Sequence, residues 1–115
     1  KYNSIHDREI EFFPEKYKFI GTDKILNKRS NLNIKFDIRF HFEPSIKLMK
    51  TQNSKTILIE LDGEGWKFTC DKYNINIDNG LYFGTKNSYS PNQNISISGI
   101  TNKHDEIIIW ELSKI

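Results

Sequence analysis

The clearest structural signal in the chain lies at positions 32–42, which read LNIKFDIRFHF. Every second position in this stretch is apolar: Leu32, Ile34, Phe36, Ile38, Phe40 and Phe42. The positions between them are polar or charged. Because successive side chains of a β-strand point to opposite faces, the pattern predicts a strand with one buried and one solvated face. A helix would spread the same apolar residues around its circumference, and Pro44 is expected to end the pairing.

A second alternating unit runs from Thr56 to Asp71 and contains an Asp62-Gly63 step at its centre. Alternating runs lie on both sides of this step. An Asp-Gly pair between two such runs is typical of a tight β-hairpin, because glycine adopts a positive φ at little cost. The unit therefore predicts two antiparallel strands.

Shorter alternating segments predict further strands at 8–13, 17–20, 46–49, 73–77, 81–83, 95–98 and 106–112. Asn79-Gly80 is expected to end one strand, and the Asn-, Ser- and Pro-rich segment 86–93 is expected to be a loop. The continuous apolar run at 107–110 predicts a strand that is covered on both faces. The whole pattern predicts one all-β domain over residues 1–115, an antiparallel β-sandwich of about 8–10 short strands.

Composition supports a globular β domain and gives little indication of a partner. The chain has 115 residues, of which 37% are hydrophobic, and it contains no Ala or Val. The formal net charge of +2 is too small to indicate a nucleic-acid partner. A single cysteine, Cys70, excludes an internal disulfide, and no apolar run approaches the roughly 20 residues of a membrane span. Because the chain begins at Lys1 and not at Met, we expect it to be a processed product or an excised fragment of a longer chain.

No complete catalytic or metal site is recognisable. The three histidines, His6, His41 and His104, do not lie at metal-ligand spacings from one another, and Cys70 has no partner thiol. The sequence lacks a nucleophile-elbow motif and a glycine-rich phosphate loop. We therefore expect no catalytic residue, no metal ligand and no cofactor in this part of the protein.

Four residues are candidates for carbohydrate binding. Arg39 and His41 lie on the polar face of the strand at 32–42, where they could bind an anionic sugar. Tyr82 and Tyr89 could stack on sugar rings. The simpler interpretation of Arg39 and His41 is a solvated strand face with cross-strand pairs. Likewise, the charged cluster at 6–9 is expected to be solvated.

Six short segments, in order along the chain, resemble the heparinase II/III-like polysaccharide lyases. They are His6–Ile10, Ile20–Ile25, Ile38–Pro44, Gly63–Trp66, Tyr82–Gly84 and Ile109–Leu112. The resemblance implies a C-terminal β-sandwich that packs on an upstream α/α-toroid domain. It also implies a parent protein that cleaves acidic, uronate-containing polysaccharides by β-elimination.

In that family the toroid and an upstream β segment supply the catalytic groups, and the parent is expected to bind any divalent metal upstream. This chain has no His-x-His or His-Asn pair, so no family catalytic or metal residue is carried over to it. The resemblance therefore implies that the fragment alone is inactive. Two other hypotheses remain: an independent carbohydrate-binding module, and a small β-barrel that holds an apolar ligand.

Overall fold

The computed structural model describes residues 4–27, 33–70, 72–85, 88–101 and 105–115. A short 3₁₀ turn at Pro14–Lys16 joins the first two strands. The strands of the described residues are β1 (Ser4–Phe13), β2 (Lys18–Asn27), β3 (Lys35–His41), β4 (Lys47–Lys50), β5 (Thr56–Leu61), β6 (Glu64–Cys70), β7 (Ile75–Thr85), β8 (Ser88–Ile100) and β9 (Glu106–Lys114).

These strands form two antiparallel sheets. The larger sheet has six strands in the order β1-β2-β9-β6-β5-β4, and the smaller has three in the order β3-β8-β7. Buried apolar residues of the two sheets form one core cluster. The predicted antiparallel β-sandwich is confirmed. The barrel hypothesis is wrong, because the described strands form two separate sheets rather than one closed sheet.

The core is centred on aromatic contacts between the two sheets. Phe40 of β3 lies with its ring centroid 4.9 Å from that of Trp110 and 5.0 Å from that of Phe68. Its neighbours Phe36 and Ile38 on β3 are buried, whereas the intervening Lys35, Asp37 and Arg39 are exposed. The predicted alternation is therefore confirmed within β3, whereas Leu32 at its start lies outside the described residues.

The Asp62-Gly63 turn confirms the predicted hairpin. Both residues have positive φ angles, 50° and 80°, and Leu61 pairs directly with Glu64. Two central residues of positive φ define the type I′ geometry, whose twist matches that of the flanking strands.

The turn at Asn79-Gly80 and the loop at 86–93 were predicted wrongly. β7 runs without a break through Asn79-Gly80 to Thr85, and β8 begins at Ser88. Gly80 continues the strand because the side chains of Asn92 and Asn94 lie over it, at 2.8 Å and 2.7 Å from where a Cβ would be. Residues 86 and 87 lie outside the described residues.

Pro91 fits within β8 because β3, one of the two strands beside β8, does not extend as far as this position. β8 pairs with β7 along this stretch, and Leu81 is opposite Pro91. Pairing with β3 reaches only as far as Asn94, opposite His41. Proline lacks an N–H donor and is tolerated where one side of a strand is unpaired. The composition of the segment thus indicated a loop, although its position in the sheet permits a strand.

The expectation that β9 is covered on both faces is also wrong for this chain. Ile108 and Trp110 face the core and are buried, whereas Ile107 and Ile109 on the outer face are 50% and 49% exposed. The smaller sheet covers only the inner face of β9.

Gly21 of β2 makes a close approach that yields a testable prediction. A Cβ at this position would lie 2.0 Å from Trp110 Cε2, so an alanine must displace the indole ring from the core. We expect Gly21→Ala to lower the free energy of unfolding by about 2–3 kcal/mol in urea titrations. Gly65→Ala is the matched control, since its Cβ would lie 3.7 Å from Ile115. Equal stability of the two variants would contradict the proposed packing.

Candidate functional site

A buried carboxylate at the inner face of β2 is the centre of the main polar cluster. Asp23 has no solvent exposure. Its Oδ1 accepts hydrogen bonds from Arg8 Nε at 2.7 Å and from His6 Nε2 at 2.6 Å, and its Oδ2 accepts one from Trp110 Nε1 at 2.7 Å. An ionised carboxylate can accept hydrogen bonds but cannot donate one, so in this arrangement Nε2 of the His6 ring is the donor and carries the proton. We call these four residues the Asp23 cluster.

Local strand geometry brings the cluster together. Arg8 of β1 pairs directly with Asp23 of β2, and Trp110 of β9 pairs with Gly21, two residues away on the same face of β2. Three of the six segments that resemble the lyase family supply the cluster. The first supplies His6 and Arg8, the second supplies Asp23, and the sixth supplies Trp110. The structure therefore unites residues from three segments that are distant in sequence.

The cluster also links the two sheets. The guanidinium carbon of Arg8 lies 4.4 Å from the centroid of the Phe40 ring, within the range of a cation–π interaction. Arg8 thus contacts a carboxylate of the larger sheet and an aromatic ring of the smaller one. Burial of an ionised carboxylate is costly unless charge and hydrogen bonds compensate for it, and here three donors do so.

Residues 6–9 are all solvent-exposed, as the prediction of a solvated charged cluster requires, but two of them also contact a buried group. His6 and Arg8 extend to the buried carboxylate of Asp23, whereas Asp7 and Glu9 lie on the opposite face of β1. The alternation of side chains along β1 could have indicated that Arg8 points inward, because Arg8 lies on the same face of the strand as the apolar residues Ile10 and Phe12. The partner residue, Asp23, could not be identified from the local pattern alone.

Glu106 is a second buried acidic residue, and it lies on the same face of β9 as Trp110. Glu106 is 8% exposed at its side chain and forms an ion pair with Lys72. Burial, followed by a hydrogen bond to Glu106, raises the pKa of Tyr73 to about 12. Tyr73 also packs edge-on against Phe36 of the smaller sheet, with centroids 5.2 Å apart. This group resembles the Asp23 cluster in joining the two sheets through a buried carboxylate.

Arg39, one of the predicted binding residues, is engaged by two acidic side chains. Its Nη2 lies 3.0 Å from Asp37 Oδ2, and its Nη1 lies 3.1 Å from Asp78 Oδ2. Arg39, predicted with His41 as an anion-binding residue, therefore belongs to an Asp37–Arg39–Asp78 group. With two negative charges for one positive charge, this group offers no net attraction for an acidic sugar.

The other candidate binding residues are not all on one face. His41 is exposed on the outer face of β3, beside Arg39. The backbone of Tyr82 pairs with Ser90, but its side chain lies outside the described residues. Tyr89 is 64% exposed and has the same parity on β8 as Ile95 and Ile97, which face the core. No result tests carbohydrate binding by these four residues, and it remains a prediction.

Within the ranges that the structure describes, no three acidic, histidine or cysteine side chains are arranged to hold a metal ion. His104 lies outside those ranges. None of the described residues belongs to a helix of the length and hydrophobicity needed to cross a membrane.

The fold and the site define the class of protein: a two-layer antiparallel β-sandwich with a buried charge cluster between its layers. The family model "Heparinase II/III-like, C-terminal" matches residues 1–111, so the chain belongs to that family. The resemblance found in the six segments is therefore confirmed. No curated protein matches the chain at a significant level.

Solved structures of a heparinase III are similar in fold. One covers the whole chain with a TM-score of 0.78 at 13% sequence identity. Another, of the same protein with methylated lysines, covers 98% of the chain with a TM-score of 0.77 at 14% identity. The chain covers 18% of the length of each. It thus corresponds to less than a fifth of these proteins.

Neutralising the central carboxylate tests the structural role of the Asp23 cluster. We expect Asp23→Asn to lower the free energy of unfolding by about 3 kcal/mol, because it leaves the Arg8 guanidinium without its anionic partner. Asp37→Asn is the matched control, and we expect a loss of at most about 1 kcal/mol from that exposed ion pair. Urea titrations at neutral pH provide the measurement. Equal losses would contradict the special role of Asp23.

The raised pKa of Tyr73 predicts a pH dependence of stability. The unfolded chain loses this phenolic proton near its ordinary pKa of 10.0, but the folded chain retains it up to a pKa of about 12. The contribution of Tyr73 is therefore complete below pH 10 and is lost as the pH rises to about 12. We expect the stability difference between the native chain and Tyr73→Phe to change in that window. A constant difference would contradict the raised pKa.

Proposed function

We propose that this domain is the non-catalytic C-terminal β-sandwich of a polysaccharide lyase. In this proposal the longer chain cleaves acidic, uronate-containing polysaccharides by β-elimination, and the domain packs on its upstream α/α-toroid. The observation that carries the proposal is the family match over residues 1–111, together with the 18% of each heparinase III chain that this chain covers.

The chemistry of β-elimination supports a non-catalytic role for this part. The reaction needs a base for the proton α to the carboxylate, an acid for the leaving oxygen, and a group that neutralises the carboxylate. Asp23 cannot reach a substrate because it is fully buried and accepts three hydrogen bonds. Arg39 could neutralise a carboxylate, but it already contacts Asp37 and Asp78. The reacting groups and any divalent metal then belong to the upstream part.

The structure offers less support for an independent carbohydrate-binding module. The Asp37–Arg39–Asp78 group carries a net negative charge, which repels an acidic polysaccharide. Tyr89 does not share the face of Arg39 and His41, so the candidates do not form one platform. We therefore favour the structural role.

Lyase assays of the isolated chain and of the full-length protein test this proposal. Heparin, heparan sulfate and alginate are supplied in turn, and ultraviolet absorbance follows the unsaturated product. We expect product from the full-length protein on one of these substrates and none from the 115-residue chain. In the full-length protein, His41→Ala is expected to retain activity, since His41 lies outside the catalytic groups.

Turnover by the isolated chain would contradict the non-catalytic role. Loss of chemistry in the His41→Ala protein, with its fold intact, would do the same. Failure of the full-length protein to act on any uronate-containing polysaccharide would contradict the lyase assignment.

A further inference from the structure

The two sheets differ in width, and this leaves part of the inner face of the larger sheet uncovered. Phe40 places β3 above β9 and β6, where it contacts Trp110 and Phe68. On the edge strand β1, by contrast, Ile10 is 56% and Phe12 is 50% exposed. Both share the parity of Arg8, whose side chain points inward. The inner face of β1 thus presents apolar side chains to solvent in this chain.

Contacts at the two sides of the smaller sheet show which of its edges lies beside this uncovered face. Arg8 of β1 reaches Phe40 of β3, whereas Gln93 of β8 accepts a hydrogen bond from Leu48 of β4 at 3.1 Å. The order β3-β8-β7 therefore runs from the β1 side of the larger sheet toward the β4 side. Among the described strands, none pairs with the other edge of β3, and this unpaired edge faces the space above β2 and β1.

The backbone of β3 has hydrogen-bonding groups on that edge. Thr101 N–H donates to Ile34 O at 2.8 Å, which makes position 34 a hydrogen-bonded site in the β3–β8 ladder. Hydrogen-bonded and non-bonded positions alternate in antiparallel pairs. The N–H and C=O groups of Lys35, Asp37, Arg39 and His41 therefore point away from β8, toward the unpaired edge.

We propose that one or two extended strands from the rest of the longer polypeptide pair with this edge and cover the inner face of β1. Neighbouring strands lie about 4.8 Å apart, so a strand beside β3 lies above β2 and a second one above β1. Such a strand has apolar side chains at alternate positions, facing Ile10 and Phe12. The proposal rests on the proposed function, which makes this domain part of a longer chain.

A second copy of this domain fits the same edge less well. Its β3 would be backed by its own six-stranded sheet, in which β1 and β2 extend beyond β3 in the same way. Those strands would enter the layer that β1 and β2 of the first copy already occupy. A strand without a backing sheet meets no such obstacle, so the geometry favours β-strand addition by a simple extended segment.

Amide hydrogen exchange, measured in the 115-residue chain and in the full-length protein, tests the proposal. We expect the amides of Lys35, Asp37, Arg39 and His41 to exchange at least about tenfold more slowly in the full-length protein. Lys50 is the control, because Leu48 N–H bonds to Gln93 rather than to β5, and position 50 likewise faces the free edge of β4. Its exchange is expected to stay the same.

A pair of variants at one position separates backbone pairing from side-chain effects. Asp37→Pro removes an N–H that the β3–β8 ladder does not use, so the fold is retained while strand addition is blocked. Asp37→Ala removes the same carboxylate but keeps the N–H. In the full-length protein we expect the protection of Lys35 and Arg39 to be lost in the proline variant and kept in the alanine variant.

Unchanged exchange at the four amides between the two proteins would overturn the proposal. Protection that rises with the concentration of the isolated chain, with dimers in light scattering, would also overturn it by identifying a second copy as the partner. These readouts do not depend on turnover. The proposal can therefore fail while the lyase assignment stands, and the reverse outcome is equally distinguishable.

Discussion

The ionised carboxylate of Asp23, held without solvent between two β-sheets, is the constraint on which the rest of this structure depends. Its charge must be compensated inside the protein: Arg8 supplies a positive charge, and His6 and Trp110 supply further hydrogen bonds, from the two strands that flank β2. Removal of Arg8 would leave the buried charge of Asp23 without its cationic partner, which is more costly than loss of an ordinary surface pair. The arrangement therefore fixes the positions of β1, β2 and β9 relative to one another.

The same constraint explains why β3 lies where it does. Arg8 is held by Asp23 and at the same time contacts the face of Phe40, so it couples the charge cluster to the aromatic core of the smaller sheet. Gly21 leaves room for the Trp110 indole, which in turn reaches the carboxylate. The motif residues that identify the family thus serve the assembly of the sandwich. Their conjunction at one buried site gives the family resemblance a physical reason.

The sequence predicted those features that depend on local geometry. The alternation at 32–42 and the Asp62-Gly63 step report strand faces and a hairpin directly. Strand lengths in β7 and β8 were missed because the fit of Gly80 under Asn92 and Asn94, and of Pro91 beside an ended neighbour, depends on tertiary position. The Asp23 cluster was missed for a related reason: its members lie far apart in sequence, and only the strand order β1-β2-β9 brings them together.

A double-mutant cycle between Arg8 and Asp23 tests most directly whether this ion pair organises the domain. The free energies of unfolding are measured for the native chain, Arg8→Met, Asp23→Asn and the double variant, with Met retaining most of the apolar stem of Arg8. The account predicts a coupling energy of about 2 kcal/mol or more, because each single change leaves the other charge unpaired. Additive losses, with a coupling energy near zero, would contradict it.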